Sequence, residues 1–169
     1  MLQDGNKIVI HCRWMISDDM PHVLEIEKSN FGGNWSEEQF IERLKVRNCI
    51  GMVAEYEDKV VAFMLYGLNK HHLNVINFCV HNNYRRSGVG GQMMQKLIGK
   101  LSTDRRNRIL TDVRETNMDG LLFLKSQGLD CVDILRNHYE DEDGYLMEYK
   151  YFNPGFHPKN RISQILNNI

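Results

Sequence analysis

The sequence predicts a single α+β domain built around a twisted, mainly antiparallel sheet. At 169 residues the chain has room for one domain with a hydrophobic core, and not for two of ordinary size. The apolar patterns predict the order β-α-α-β-β-β-α-β-α-β-β, with a strand meander first and crossover helices later. The composition, 42% hydrophobic and 25% charged, is that of ordinary globular proteins. We assign residues 1–152 to this domain and residues 153–169 to a C-terminal tail.

The N-terminal part predicts one strand followed by one helix. Residues 7–15 contain enough apolar and β-branched side chains for a first strand. Residues 17–19, Ser-Asp-Asp, then supply helix caps, and Pro21 lies where a first helical turn accepts proline.

The start of a second helix is marked by two local signals. Ser36 and Gln39 have the spacing of a capping box, and Trp35 and Phe40 stand where a hydrophobic staple pairs its two residues. Residues 32–35 are therefore predicted to form a loop.

A three-stranded meander follows the second helix. Residues 50–56 and 60–66 are apolar runs separated by the polar residues 57–59, which is typical of an antiparallel hairpin. Residues 73–80 predict the third strand.

The second half of the chain alternates helices and strands. Apolar side chains recur every four residues from Val89 to Leu101, which predicts an amphipathic helix that begins near Gly88. A strand, a helix closed by Gly128 as a left-handed cap, and two strands complete the order. These four elements are predicted at residues 108–113, 118–127, 131–135 and 145–151.

Charge and cysteine spacing limit the classes of partner. The formal net charge of -1 provides no overall basic surplus for nucleic acid, so we expect no such partner, although a local basic patch is not excluded by it. No apolar run suits a signal peptide or a membrane span, so we expect no membrane partner. The four cysteines are widely spaced, which predicts a reduced, cytoplasmic protein. We expect a monomer or a homodimer.

The segment from Tyr84 to Gly91 is a glycine-containing turn between a strand and a helix. Glycines at a helix start let backbone N–H groups approach an anion, and the helix N-terminus adds about half a positive charge. Arg85 and Arg86 supply further cationic donors. The turn matches neither the Walker pattern G-x-x-x-x-G-K-S/T nor a dinucleotide fingerprint. It predicts an anion site of another kind, the plain alternative being a turn with two solvated arginines.

At this turn the chain resembles the GNAT acetyltransferases. Residues 85–90, R-R-S-G-V-G, match the family motif Q/R-x-x-G-x-G/A, whose backbone amides bind the pyrophosphate of acetyl-CoA. Residues 76–80 resemble the strand that pairs with the pantetheine arm, and residues 117–129 resemble a later element that begins with asparagine. The resemblance implies the GNAT-type acyl-CoA N-acyltransferase fold, and acetyl-CoA as co-substrate. It implies cofactor contacts from Phe78, Cys79, Val80, Arg85, Arg86, Ser87, Gly88, Val89, Gly90, Gly91 and Asn117.

Three further segments are similar to N-terminal acetyltransferases, including those that act on ribosomal proteins. They are residues 34–37, 112–117 and 136–139, so that the resemblance covers about residues 8–150. It implies an acceptor that is the N-terminus of a protein or peptide. It also implies that Trp35, Asn137 and Tyr139 contact this acceptor.

The resemblance assigns the acid and base chemistry unevenly. Asp112 occupies the position of the family's glutamate base. An aspartate side chain is one methylene shorter, which favours removal of the amine proton through a bridging water rather than by direct contact. Leu124 stands where the family has a tyrosine acid, so Tyr139 or His138 takes over that role or the thiolate leaves unassisted. The plain alternatives are that Asp112 makes local hydrogen bonds and that Tyr139 and His138 only shape the groove. We interpret Cys79 as a core residue rather than a nucleophile.

The expected acceptor follows from amine acidity. An α-amine with a pKa near 8 is neutral in roughly one molecule in ten at pH 7, and a lysine in fewer than about one in a thousand. A weak base therefore suits an α-amine. The acidic residues 140–143 are predicted in the last hairpin loop, where they attract a cationic acceptor or form a solvated tip.

Two other functions stay open. One is a GNAT enzyme that acetylates a small amine such as a polyamine or an aminoglycoside; the other is a catalytically weak acyl-CoA-binding module, which Leu124 suggests. We expect no metal site, since His71 and His72 face opposite sides of an extended strand. In the tail, apolar residues at helical spacing predict a short amphipathic helix. They are Ile162, Ile165, Leu166 and Ile169.

Overall fold

Seven strands and four α-helices are found in the computed structural model, which describes residues 7–31, 34–140 and 142–152. The strands are β1 (His11–Trp14), β2 (Cys49–Tyr56), β3 (Lys59–Leu68), β4 (His72–Val80), β5 (Arg108–Arg114), β6 (Asp130–Tyr139) and β7 (Glu142–Lys150). The helices are α1 (Met20–Phe31), α2 (Glu37–Lys45), α3 (Val89–Ile98) and α4 (Met118–Ser126). The predicted tail helix lies outside the described residues.

The strands form one mixed sheet in the order β1-β2-β3-β4-β5-β7-β6. Neighbouring strands are antiparallel except for β4 and β5, which are parallel. The predicted α+β class with a mainly antiparallel sheet is therefore confirmed. The single parallel pair comes from the crossover through α3.

The sheet lies between two layers of helices, each with its own hydrophobic core. On one face α3 and α4 contribute Met93, Leu97 and Leu124 to a large cluster. On the other face α1 and α2 contribute Ile26 and Phe40 to a smaller cluster. The two cores hold the sheet rigidly from both sides, so that loops at its ends can carry a site.

The start of α2 is formed as the sequence predicts. The Gln39 backbone N–H donates to Ser36 Oγ at 3.3 Å, and the Ser36 N–H donates to Gln39 Oε1 at 2.8 Å. The Trp35 and Phe40 rings lie 5.2 Å apart between centroids. The capping box and the hydrophobic staple are both confirmed.

The hairpin turn is one residue shorter than predicted. Lys59 pairs with Tyr56, so only Glu57 and Asp58 connect β2 and β3. Both have left-handed backbone angles, φ 48° and 60°, as in two-residue hairpin turns of the I′ type.

Two element ends differ from the prediction, the first because of tertiary contacts. The first strand covers four residues rather than residues 7–15, since the Ile8 N–H donates to the Ser87 carbonyl at 3.1 Å. Gln92 Nε2 also donates to the Ile8 carbonyl at 2.7 Å, which fixes this segment against α3. Helix α3 ends at Ile98 rather than Leu101, with Gly99 as its C-cap. The predicted left-handed cap at Gly128 is confirmed, with φ 87°.

Candidate active site

The parallel strands β4 and β5 separate to form a gap. Within the described part of the chain their pairing ends at Val75 and Thr111, although β4 continues to Val80 and β5 to Arg114. The Thr111 hydroxyl donates to the Val75 carbonyl at 3.2 Å, at the point where the strands part. A bulge at Ile76 shifts the register of β4 against β3 in the same place. The two strands therefore present unpaired edges to a common cleft.

The end of β4 directs backbone groups into this gap. The His81 N–H donates to the Val61 carbonyl at 2.9 Å, so His81 points toward β3. Successive residues of a strand point their N–H and C=O groups to opposite sides, so Phe78 and Val80 point the other way, toward β5. These are groups that an extended amide-bearing ligand could pair with.

The glycine turn forms a concave backbone surface beside the gap. Arg86 has φ 60° and Gly88, the N-cap of α3, has φ 87°. The Ser87 hydroxyl is buried and donates to the Tyr84 carbonyl at 2.5 Å. The N–H groups of the first helical turn, from Val89 to Gly91, have no acceptor within the helix. The turn is thus a backbone cradle suited to an anion.

The start of α3 packs closely on two aromatic rings, one from β4 and one from α4. The Phe78 and Phe123 rings lie 5.7 Å apart between centroids. A Cβ atom at Gly90 would lie 3.1 Å from the Phe123 ring. Glycine at this position therefore allows the helix start to approach both β4 and α4.

The two arginines of the turn differ in their surroundings. Arg85 contacts Asn30 Oδ1 through its guanidinium, and its Nε donates to the Val80 carbonyl at 3.4 Å. It therefore ties the turn to the end of α1 and of β4, and is less mobile than the sequence suggests. The Arg86 side chain is exposed.

Asp112 is the centre of a polar cluster on the other side of the gap. The Tyr139 hydroxyl donates to Asp112 Oδ2 at 2.8 Å, and His138 Nε2 lies 2.8 Å from the same oxygen. Burial, the hydrogen bond to Asp112 and its negative charge together raise the pKa of Tyr139 well above its usual value. The structure thus brings together the three residues that the sequence analysis singled out as acid and base.

The Tyr139 ring is held on two sides. The Arg114 guanidinium lies 4.3 Å from the ring centroid. A Cβ atom at Gly144 would lie 2.9 Å from Tyr139 Cε2. The sequence analysis did not single out Gly144, although a lone glycine inside a predicted strand is a recognised signal of close approach.

Of the acidic residues 140–143 that were predicted to lie in a loop, two lie instead in a strand. Glu142 and Asp143 belong to β7. Glu142 accepts from Arg114 at 2.5 Å and from Thr116 at 2.6 Å, and these contacts lower its pKa. Asp143 accepts from the Asn137 backbone N–H at 2.8 Å and from Arg136 at 2.5 Å. Arg114 of β5 thus neutralises Glu142, and Arg136 of β6 neutralises Asp143, because both strands place an arginine beside the start of β7.

The other predicted site residues take mainly supporting positions. Asn137 lies in a bulge of β6 with φ 49°, and its backbone N–H makes the bond to Asp143. Trp35 is half-buried against Phe40 at the start of α2. Leu124 is 7% exposed and belongs to the larger core, so the position offers no proton donor.

Cys79 has the properties of a core residue. It is 4% exposed, and its sulfur lies 3.9 Å from the Ile26 carbonyl. Burial, with a smaller effect of the nearby Glu27 charge, raises the pKa of the thiol to about 12. A thiolate nucleophile at neutral pH is therefore disfavoured.

Asn117 caps α4 and requires a glycine beside it. Its Oδ1 accepts from the Gly120 N–H at 2.9 Å. A Cβ atom at Gly120 would lie 2.6 Å from Asn117 Nδ2. The side chain is therefore at least a helix cap next to the gap.

We expect Asn117→Ala to lower the unfolding free energy by about 1 kcal/mol, because a helix cap is lost. We also expect acetyl-CoA affinity to fall. Asn117→Ser is the matched variant, since serine keeps the cap. Calorimetric titration separates the two roles: normal affinity in the serine variant shows that Asn117 acts only through the cap.

A buried glutamate, which the sequence analysis did not single out, lies behind β4. Glu27 is 1% exposed; Asn77 Nδ2 donates to it at 3.1 Å, and the Trp35 backbone N–H also donates to it. Burial raises the pKa of Glu27, and the two hydrogen bonds offset part of this effect. Glu27 follows Val23 by four residues on the core-facing side of α1, which is the signal that could have marked it.

The stability contributed by Glu27 is expected to fall as pH rises. Its pKa is higher in the folded than in the unfolded state, so the folded protein holds this proton more tightly. The contribution is fully present below the unfolded-state pKa and is lost as pH passes through the raised folded-state value. Glu27→Gln should therefore gain in stability relative to wild type between pH 4 and pH 8. Denaturant unfolding across this range measures it, and a constant difference would contradict it.

The comparisons with known proteins agree with this geometry. Residues 20–129 match the Acetyltransferase (GNAT) family. The chain belongs to the GNAT acetyltransferase family. It is thus an acetyl-CoA-dependent N-acetyltransferase by family, with the GNAT fold that the resemblance implied.

Individual GNAT relatives are more distant. A ribosomal protein bS18-alanine N-acetyltransferase from Salmonella typhimurium is 24% identical over 75% of this chain and 85% of its own length. An N-alpha-acetyltransferase from Sulfolobus acidocaldarius is 26% identical over 83% and 92%. The crystal structure of the ribosomal-protein-S18-alanine N-acetyltransferase from Escherichia coli superposes with a TM-score of 0.75 at 21% identity, covering 88% of this chain and 99% of that one.

In residues 7–31, 34–140 and 142–152, no three His, Cys, Asp or Glu side chains are grouped so as to hold a metal ion. Nor does this part of the chain contain a helix with the length and hydrophobicity needed to cross a membrane.

Proposed function

We propose that this GNAT protein transfers the acetyl group of acetyl-CoA to the α-amine of a protein or peptide N-terminus. The observation that carries the proposal is the shared contact of His138 and Tyr139 with Asp112, beside the gap between β4 and β5. The names of the relatives, an N-alpha-acetyltransferase and a ribosomal-protein alanine N-acetyltransferase, support this acceptor class.

The residues around the gap suit acetyl-CoA, which supplies the acetyl group as an activated thioester. The cradle from Arg86 to Gly91 would bind the pyrophosphate through backbone N–H groups. The gap-facing N–H and C=O groups of Phe78 and Val80 would pair with the pantetheine amides, and the same N–H groups would polarise the thioester carbonyl.

Asp112 and His138 would together remove the proton from the acceptor amine. The Asp112 carboxylate contacts one ring nitrogen of His138 at 2.8 Å and fixes the ring, so that the imidazole can accept a proton through its other nitrogen. His138 and Asp112 are 41% and 36% exposed, which leaves both accessible to an acceptor or a bridging water. An amine with a pKa near 8 needs only this modest base, whereas a lysine near 10.4 needs a stronger one.

The same imidazole suits the return of a proton to the departing thiolate better than Tyr139 does. A thiol has a pKa near 8.5, so transfer from a phenol near 10 is uphill even before the pKa of Tyr139 is raised. An imidazolium is a stronger acid than a thiol, so transfer of its proton to a thiolate is downhill. We therefore assign the acid role to His138, and to Tyr139 the role of holding Asp112 in place and lining the acceptor groove.

Cellular conditions fit an N-terminal acetyltransferase of the cytoplasm. All four cysteines, Cys12, Cys49, Cys79 and Cys131, are free thiols. Free thiols persist in the reducing cytoplasm, where acetyl-CoA and new protein N-termini meet.

An acceptor screen tests the proposal. Wild-type protein with acetyl-CoA is offered peptides with a free α-amine, the same peptides blocked at the N-terminus but with an internal lysine, spermidine, and an aminoglycoside. We expect the highest kcat/KM for the free α-amine peptides. A higher kcat/KM for either small amine would favour a small-amine acetyltransferase, and cofactor binding without turnover on any acceptor would favour a binding module.

A further inference from the structure

A group of cations lies at the end of the sheet opposite the gap, where β4 and β5 begin and β7 ends. Three segments meet there: the β3–β4 turn, the loop before β5 and the residues that follow β7. The Asn107 N–H donates to the His71 carbonyl at 3.3 Å, and the Tyr151 N–H donates to the Asn107 carbonyl at 2.7 Å. We name the result the basic surface, formed by Lys70, Lys100, Arg105, Arg106, Arg108 and Lys150.

The charges of the basic surface are poorly balanced. Its segments and the adjoining strand ends contain two carboxylates, Asp104 and Glu148, while Asp130, opposite Glu148 on β6, is paired with Lys125. Glu148 is 7% exposed and contacts both Arg108 and Lys150 at 3.3 Å. Among the residues that the structure describes, Lys70, Lys100 and Arg105 take part in no ion pair.

The strand register places like charges side by side. Arg108 lies directly opposite Lys150 on one side and His72 on the other. Like charges on facing strand positions destabilise a sheet. Burial, then the positive charges of Arg108 and His71, lower the pKa of His72, which agrees with a positive local potential. The whole chain carries a net charge of -1, so this end is basic while the rest of the molecule is net acidic.

Aromatic side chains are interleaved with these cations. Phe152 is 78% exposed, and Tyr151 precedes it. Together with His71, Arg105 and the residues beside them they line a groove of about 430 Å³.

We propose that the basic surface binds single-stranded nucleic acid, with its cations on the phosphates and Phe152 stacked on a base. Unpaired cations beside an exposed aromatic ring are the combination that single strands use, because every base has a face to stack. An acidic protein segment would use the cations and leave the aromatic ring without a role. The surface lies at the far end of the sheet, so a bound strand would leave the acetyl-CoA gap open.

Fluorescence anisotropy of the full chain with a labelled 12-nucleotide RNA, oligo(U), tests the proposal, with oligo(dT) in a parallel arm. Lys100→Glu with Arg105→Glu reverses two charges of the basic surface. Lys28→Glu with Lys59→Glu makes the same change of net charge on exposed residues away from this end of the sheet. We expect at least a tenfold loss of affinity in the first variant and less than about threefold in the second. The slope of log affinity against log salt should be about -3 for four phosphate contacts.

Phe152→Ala tests the stacking separately. It should weaken binding about tenfold, and this loss should persist at high salt. Normal thermal unfolding and acetyl-CoA binding show that each variant is folded. Equal losses in the two charge-reversal variants, equal affinity for a duplex of the same length, or equally strong competition by a deca-glutamate peptide would each overturn the proposal. The oligonucleotide that binds more tightly, oligo(U) or oligo(dT), shows whether the surface prefers RNA or DNA.

Discussion

Gly88→Val is expected to remove measurable acetyl-CoA binding from a protein that still folds. Gly88 has φ 87°, a left-handed conformation that a β-branched residue adopts only with strain. A Cβ atom there would lie 3.4 Å from Lys7 Cγ, which is ordinary contact. The substitution therefore acts through the backbone: relaxing φ turns the N–H groups at the start of α3 away from their common direction. The strain, about 1–2 kcal/mol, is small beside the stability of a typical domain.

Calorimetric titration with acetyl-CoA measures the effect, with circular dichroism as the test of folding. Gly91→Ala is the matched control, because its Cβ would meet only Gln127 at 3.6 Å and glycine there has no positive φ. Adding Gly90→Leu to Gly88→Val should also close the approach to Phe123, where a Cβ already lies at 3.1 Å. Unchanged affinity in a folded Gly88→Val variant would remove the glycine turn from the cofactor site.

The backbone groups that line the gap need hydrogen-bond partners, because of how the two strands are paired elsewhere. β5 pairs with β7 along its whole length, and β4 pairs with β3. Each strand therefore has one satisfied edge, and the opposite edges face each other without bonding beyond Val75 and Thr111. Water or an amide-bearing ligand must satisfy those backbone groups. Pantetheine carries amides in an extended chain, which fits such a gap as an added strand would.

Local chemistry made much of the fold predictable from sequence. The Ser36 cap, the Trp35–Phe40 staple and the Gly128 cap depend on residues within a few positions of each other, and all three are confirmed. The predicted start of β1 was wrong because Ile8 bonds to Ser87 and Gln92, far along the chain. No local pattern carries that information.

The candidate site divides in the same way. The glycine turn has a local signature, and the resemblance to GNAT enzymes pointed to Asp112, His138 and Tyr139, which meet within hydrogen-bond distance. The contact between Glu27 and Asn77 joins positions 50 residues apart, and sequence alone gave no reason to pair them. The neutralisation of Glu142 by Arg114 likewise depends on how β5 and β7 align.

The last prediction compares the two side chains that contact Asp112. We expect His138→Asn to lower kcat by about 10² to 10⁴, because the group that receives and returns the proton is lost. Tyr139→Phe should lower kcat less than about tenfold, since it removes one hydrogen bond to Asp112 and keeps the ring under Arg114. Neither change should alter the affinity for acetyl-CoA.

Steady-state kinetics with a free α-amine peptide distinguish the two roles, and the variants Asp112→Asn and Leu124→Tyr complete the set. Asp112→Asn should resemble His138→Asn, because an amide cannot stabilise an imidazolium as a carboxylate does. Leu124→Tyr in the His138→Asn background restores a phenol at the family's acid position, and a partial recovery of kcat is expected if the core around Leu124 accepts the ring. If Tyr139→Phe loses as much kcat as Asp112→Asn while His138→Asn keeps the wild-type rate, the phenol is the essential acid and the assignment of His138 is wrong.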